Sequence, residues 1–162
     1  CVAVVHFFGY LLCMPGYLTH TAVGIAVGGG AAAAASALEM AEPDVETLAP
    51  LAAISVLAAV FPDVDTPSKA RTLVYALLLA SALALMLAEE FLWASVVGVA
   101  GMLPGLGMHR GWTHSWLSML LIPAGICALP LLVHEVEPEV LVMPYSFAVL
   151  GYGSHLVLDK VV

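Results

Sequence analysis

The chain has 162 residues, 62% of them hydrophobic and only 10% charged, with a mean hydropathy of +1.05. Soluble domains carry about 25% charged residues, so this composition excludes an ordinary soluble domain. The formal charge of −8, with Lys69, Arg71, Arg110 and Lys160 as the whole basic complement, argues against nucleic-acid binding.

Residues 1–13 are apolar and do not begin with an initiator, and Met14 is a plausible start. Three assignments stay open for them: an extra span, the end of a signal-like segment, or sequence upstream of the true start. The chain stops three residues after Asp159, which leaves its C-terminal extent open. Residues 14–162 then read as one membrane-embedded helical domain. A span needs roughly 20 apolar residues, with a range of about 17–25. Six runs qualify or nearly do: 21–38, 48–61, 72–88, 91–107, 112–133 and 140–158. The predicted fold is an all-α integral membrane bundle of about six transmembrane helices, with 1–13 as the candidate seventh.

Leu18-Thr19-His20 leads into the first run, which carries Gly24 and Gly28 in a G-x-x-x-G spacing suited to close helix packing. The Gly28-Gly29-Gly30 stretch lies mid-membrane and reads as packing rather than a phosphate cradle. The second run has 14 residues, about 21 Å at 1.5 Å per residue, against a hydrocarbon core of about 30 Å. The Phe61-Pro62-Asp63-Val64-Asp65 segment after it is therefore expected in a recess below the headgroups. Gly101 and Gly105 repeat the G-x-x-x-G spacing on the fourth run. His109-Arg110-Gly111-Trp112-Thr113-His114-Ser115 then leads into the fifth, with Thr113 a plausible cap for its helix. Ser154-His155 and Asp159 end the sixth. Cys1, Cys13 and Cys127 form no C-x-x-C and read as small core residues.

The loop charges sort by side. The loops after 38, 88 and 133 hold Glu39, Glu42, Asp44, Glu46, Glu89, Glu90, Glu135, Glu137 and Glu139, with no Lys or Arg. The segments after 61, 107 and 158 hold all four basic residues. The positive-inside rule makes the second set cytoplasmic. His20, Asp63, Asp65, His109, His114, His155 and Asp159 then share one face of the membrane at similar depth. Ionisable residues beside a span are costly and mark functional sites by default. His6, in the doubtful leader, and His134, on the acidic face, stand apart.

His155 and Asp159 are spaced i, i+4 and share a helix face. Asp63-x-Asp65 can bridge hard cations, and also reads as an Asp-rich turn. Four His and three Asp make a mixed N/O environment suited to Zn²⁺, Mn²⁺ or Fe²⁺, with ligands enough for one or two ions. Two ions roughly 3.5–4 Å apart activate water and clamp a displacement at phosphorus. Asp63, His114 and Arg110 are the residues expected to act in catalysis. The Arg110 fork suits an anionic oxygen, and equally a positive-inside anchor. Thr113, Ser115, Ser154 and Ser68 are candidate supporting donors. Trp112 and Trp116 read as interfacial belt residues.

These pieces resemble the YdjM-like family of membrane-bound metal-dependent hydrolases, also described as LexA-binding, inner-membrane-associated hydrolases. The matching segments are Thr19-His20, Pro62-Asp63-Val64-Asp65 with Ser68, His109 through Ser115, and Ser154-His155 with Asp159, in order over about 14–162. The heptapeptide from His109 to Ser115 is the most specific of them. A Gly- and Pro-containing stretch that usually follows the last motif in the family does not follow here. The resemblance implies a multi-span inner-membrane protein with a metal-dependent hydrolytic site on those His and Asp residues, and leaves the substrate open.

Three functions are compatible with these residues. The leading expectation is a hydrolase cleaving a phosphoester of a lipid-like substrate at the cytoplasmic leaflet, with membrane lipids as its surroundings. A regulatory or binding protein with a structural metal is the second, although short cytoplasmic loops offer little of the about 800 Å² per partner that a standard interface needs. A divalent-cation transporter is the third. The interiors of 72–88 and 91–107 hold no ionisable stepping stone for it.

Overall fold

Long runs of Ala, Leu, Val and Gly at membrane depth favour helix, because a helix satisfies every backbone polar group within its own segment. The computed structural model describes residues 16–65, 67–102, 112–133 and 136–161, and among these every regular element is helical. The elements are α1 (Tyr17–Ala37), α2 (Val45–Val60), a 3₁₀ turn (Phe61–Asp65), α3 (Lys69–Leu87), α4 (Phe91–Met102), a second 3₁₀ turn (Trp112–His114), α5 (Trp116–Val133) and α6 (Pro138–Val161). Three segments are long and apolar enough to cross a membrane: Tyr17–Ala37, Val45–Asp65 and Pro138–Lys160.

Polar side chains start three of the helices. Asp44 accepts from the Thr47 amide at 2.8 Å ahead of α2. Ser68 accepts from the Arg71 amide at 3.1 Å ahead of α3. Ser115 accepts from the Ser118 amide at 3.0 Å ahead of α5. Each meets an amide that the first helical turn leaves without an intrahelical partner. The cap of α5 is thus Ser115 and not Thr113, whose hydroxyl is engaged elsewhere. Helices α1 and α3 end alike, on Glu39 (φ 56°) and Glu89 (φ 63°) in the left-handed conformation. The Met40 amide reaches back to the Ala35 carbonyl and the Glu90 amide to that of Leu85, closing both helices in Schellman motifs.

The second span is longer than its hydropathy suggests. Capping by Asp44 starts the helix before the apolar run, and the 3₁₀ turn carries it through Pro62 to Asp65, giving 21 residues. At 1.5 Å per α-residue and about 2.0 Å per 3₁₀ residue the segment reaches about 34 Å, enough for the full core. Shortness of this span therefore does not explain a recess. In α1 the helix begins at Tyr17, so Thr19 and His20 lie in its first turn rather than ahead of it.

The three long helices form the centre: α1 packs on α2, α2 on α6, and α1 on α6. Helix α3, paired with α4, lies against the Phe61–Asp65 turn, and α5 lies against α6. Small residues set the spacing. A Cβ on Gly24 would stand 2.8 Å from Ala59 Cβ, and one on Gly28 2.9 Å from Ser55 Cβ. A Cβ on Gly151 would overlap the Ser55 carbonyl oxygen. The G-x-x-x-G of the first span is therefore a packing device. Gly101 rests against Leu78, while Gly105 lies outside the described residues. Ser55 is fully buried where α1, α2 and α6 meet, its hydroxyl facing the Gly24 carbonyl at 3.4 Å.

Candidate metal centre

One turn along each helix from the Ser55 junction, the small residues give way to ligand types. Four residues before Gly24 is His20, four after Ser55 is Ala59, and four after Gly151 is His155. Residues four apart share a helix face. The close approach of α1 and α6 therefore lays the His20 and His155 rings face to face, centroids 3.8 Å apart and planes 21° off parallel. One further step brings Asp63 beyond Ala59 and Asp159 beyond His155. The second 3₁₀ turn adds His114, whose ring meets that of His155 edge-on at 5.3 Å.

Five sequence candidates thus converge at one end of the bundle: His20, Asp63, His114, His155 and Asp159. Nε2 of His155 lies 3.7 Å from Asp63 Oδ1 and 3.5 Å from Asp159 Oδ2. Nε2 of His114 lies 3.8 Å and 3.5 Å from the same two oxygens. Nε2 of His20 faces the other oxygen of Asp159 at 3.3 Å. Both Nε2 atoms of His114 and His155 are buried without a hydrogen-bond partner. Buried polar groups are ordinarily paired, so two such nitrogens aimed at the same carboxylates require a reason.

Metal ligation is one that fits. Four ligands at about 2.0–2.2 Å around a tetrahedral ion stand about 3.3–3.6 Å from one another. Most of the measured separations lie in or just above that range, and beyond the 2.9–3.0 Å typical of N–H···O bonds. Two overlapping groups have ligand atoms within 4.8 Å of one another: His20, Asp63 and His155, and His114, His155 and Asp159. The two oxygens of Asp159 are split between them, one toward His20 and one toward His114 and His155. That is the disposition of a carboxylate able to serve two ions.

Hydrogen bonds decide which ring nitrogens carry lone pairs. His155 Nδ1 lies 2.8 Å from the Ala59 carbonyl, which can only accept, so Nδ1 carries a proton and in the neutral ring Nε2 faces the carboxylates with its lone pair. For His114 the neighbour at Nδ1 is Thr113. Its hydroxyl donates to Asp65 Oδ2 at 3.0 Å and touches His114 Nδ1 at 3.2 Å. A hydroxyl has one proton, spent on the carboxylate, so the ring Nδ1–H donates to Thr113, and in the neutral ring Nε2 again keeps the lone pair. Outer partners of this kind fix the tautomer and orientation of ligating histidines.

Asp65 therefore points to Thr113 and belongs to neither convergent group of the described residues. Ser68 donates to the Asp63 carbonyl at 3.2 Å while capping α3, which holds the Asp63 turn. Ser115 bonds Ser118, and Ser154 donates to the Gly151 carbonyl within α6, so both act on helix ends and backbone. His109 and Arg110 lie outside the described residues. Sequence reasoning missed Tyr152, which is buried and donates its hydroxyl to the Thr113 carbonyl at 2.5 Å, tying the His114 turn to α6. It also missed the Ala59 carbonyl, which carries no side-chain signal at all.

His20 and His155 are 1% and 0% exposed, whereas Asp63 and Asp159 are each 21% exposed and His114 13%. The cluster is closed at its base and open at its carboxylates. A family model described as YdjM inner membrane protein matches residues 14–161. The chain belongs to this family. Membership places it in the inner membrane, in keeping with three helices able to cross a bilayer. Every residue of the convergent cluster falls inside the YdjM match. No curated protein and no solved structure gives a significant match.

Proposed function

We propose that this YdjM-family protein is a membrane-embedded, metal-dependent hydrolase cleaving a phosphoester of a lipid-like substrate at the cytoplasmic leaflet, in a bundle of about six spans. The observation that carries the reading is the pair of buried Nε2 atoms of His114 and His155, without hydrogen-bond partners, facing the same two carboxylate oxygens. The N/O donor set fits Zn²⁺ or Mn²⁺, with His20, Asp63, His114, His155 and Asp159 as ligands for one or two ions. A bound divalent ion supplies Lewis acidity and acidifies its coordinated water.

The chain's own groups do the rest. Ala59 and Thr113 hold the two histidines in the ligating tautomer, and Ser68 pins the Asp63 backbone. Partial exposure of Asp63, Asp159 and His114 leaves one side of the cluster reachable by a headgroup. Arg110, four residues before His114, is assigned to the phosphate oxygens. The cytoplasmic orientation rests on the sequence pattern of the loops, those after 38, 88 and 133 acidic and those after 61, 107 and 158 holding every Lys and Arg.

A second reading, a regulatory protein with a structural metal, is favoured by the complete burial of His20 and His155. Elemental mass spectrometry on detergent-purified protein, beside Asp63→Ala and His114→Ala, tests the metal. About one or two equivalents, lost in both folded variants, is the expected result. Metal with no turnover in a phosphoester screen leaves the structural reading in front, and a folded protein that takes up neither Zn²⁺ nor Mn²⁺ ends the hydrolase proposal.

A further inference from the structure

A cleft of about 380 Å³ lies between α2, α3, α5 and α6. Among its described lining residues, Ser81, Cys127 and Tyr152 supply the only side-chain heteroatoms. Leu57, Leu77 and Ile126 on its walls are exposed, so it opens sideways between the helices. Its wall on α6 runs from Pro144 through Ala148 to Tyr152, about 12 Å at 1.5 Å per residue.

That wall does not stop at Tyr152. At 3.6 residues per turn, Pro144, Ala148, Tyr152, His155 and Asp159 fall in one stripe about 80° wide. Apolar cleft and polar cluster thus occupy successive turns of the same face. The α2 wall ends the same way, on Phe61, two residues before Asp63. Phe61 and Tyr152 lie with ring centroids 6.1 Å apart at the cluster end of the cleft, and the Tyr152 hydroxyl holds the residue next to His114.

We propose that this cleft is the hydrocarbon-chain subsite of the cluster, taking one alkyl or isoprenoid-like chain of an amphiphile whose anionic head lies at His114, Asp63 and Asp159. The head chemistry rests on the hydrolase reading; the chain subsite rests on the cleft and its continuity with the cluster. Ligand pockets run to about 300–1,000 Å³, and about 380 Å³ lies at the small end of that range, which favours one chain over two. The class of substrate is accordingly a single-chain phosphorylated lipid rather than a diacyl phospholipid held by both tails.

The test uses the full chain in detergent with unbranched alkyl monophosphates of increasing length, one carrying a photoactivatable diazirine at its chain end. Labelling is expected on the α3 and α5 walls near Ser81 and Cys127, displaced by long-chain but not short-chain alkyl phosphate. Ala148→Phe, and independently Ser81→Phe on the opposite wall, should weaken long-chain binding roughly tenfold with metal content unchanged, the scale at which apolar pockets read bulk. Label spread evenly over Leu79, Leu121 and other exposed positions, undiminished by competitor, overturns the subsite. So does a chain-length dependence untouched in both variants. Length-dependent labelling without phosphate release rejects the hydrolase reading and keeps the subsite. Release that ignores chain length does the reverse.

Discussion

Gly151 on α6 lies so close to Ser55 on α2 that any side chain at 151 would overlap the Ser55 carbonyl oxygen. This approach stands one helical turn below the stacked rings of His20 and His155 and sets the distance between the helices that carry the site. Gly151→Ala should therefore destabilise at or beyond the upper end of the about 1–3 kcal/mol usual for overpacking. Gly29→Ala and Gly30→Ala, with nothing within 4 Å of the added methyl, should gain up to about 1 kcal/mol from helix propensity. Thermal unfolding in detergent separates the two cases; equal effects would sink the packing account.

The tautomer of His114 depends on a single hydroxyl. Thr113→Val leaves Nδ1 without its acceptor, and Nε2 is then free to take the proton. Metal affinity should fall 10–100-fold, the usual loss when an outer partner of a ligating histidine is removed. Thr113→Ser should restore it. Nitrogen chemical shifts of the imidazole in the metal-free protein report the change directly, independent of activity, and an unchanged Nδ1–H tautomer in Thr113→Val refutes the relay.

Metal removal should lower stability as well as activity. A ligand that binds only the folded state at 100 times its dissociation constant adds about 2.7 kcal/mol. Chelation should shift the wild-type melting temperature downward and leave a His155→Ala, Asp159→Ala double variant unmoved. If chelator shifts both alike, it is acting elsewhere.

The cap of α2 gives a pH signature. The Thr47 amide holds the Asp44 carboxyl below its ordinary 3.8. A carboxyl depressed on folding contributes stability above its unfolded value, and that contribution is lost as pH falls through the folded value. Wild type should melt higher than Asp44→Ala at neutral pH, with the difference shrinking below about pH 4 as the carboxyl protonates. A difference constant down to acid pH would remove the charge from the account.

Glu39 and Glu89 hold left-handed conformations that disfavour a Cβ by roughly 1–2 kcal/mol. Glycine there should stabilise, by less than that figure because it also loosens the unfolded chain. Melting curves of Glu39→Gly and Glu89→Gly that fall rather than rise would contradict the Schellman assignment.

Composition and periodicity determined a good deal about this protein. Apolar runs of this length point to helices, since the other structure that satisfies the backbone in hydrocarbon, a closed barrel, is built from strands of only about 9–11 residues. The motifs around His20, Asp63, His114, His155 and Asp159 marked their positions at helix ends, and alternating runs brought those ends to one side. The i, i+4 spacing of His155 and Asp159 gave their shared face directly. Only the tertiary structure decided the rest. Asp63 and Asp65 are equivalent as sequence, yet the 3₁₀ turn points one at the histidines and the other at Thr113, because residues two apart face differently. Helix α2 outran its hydropathy because a cap and a 3₁₀ turn extend the segment over mostly polar residues at both ends. Which imidazole nitrogen is bare was set by a backbone carbonyl at Ala59 and a hydroxyl at Thr113, contacts 96 and one residues away in the chain. The Ala59 partner arises from close packing at Gly24, Ser55 and Gly151, and a side-chain pattern cannot encode where a carbonyl from another helix will fall.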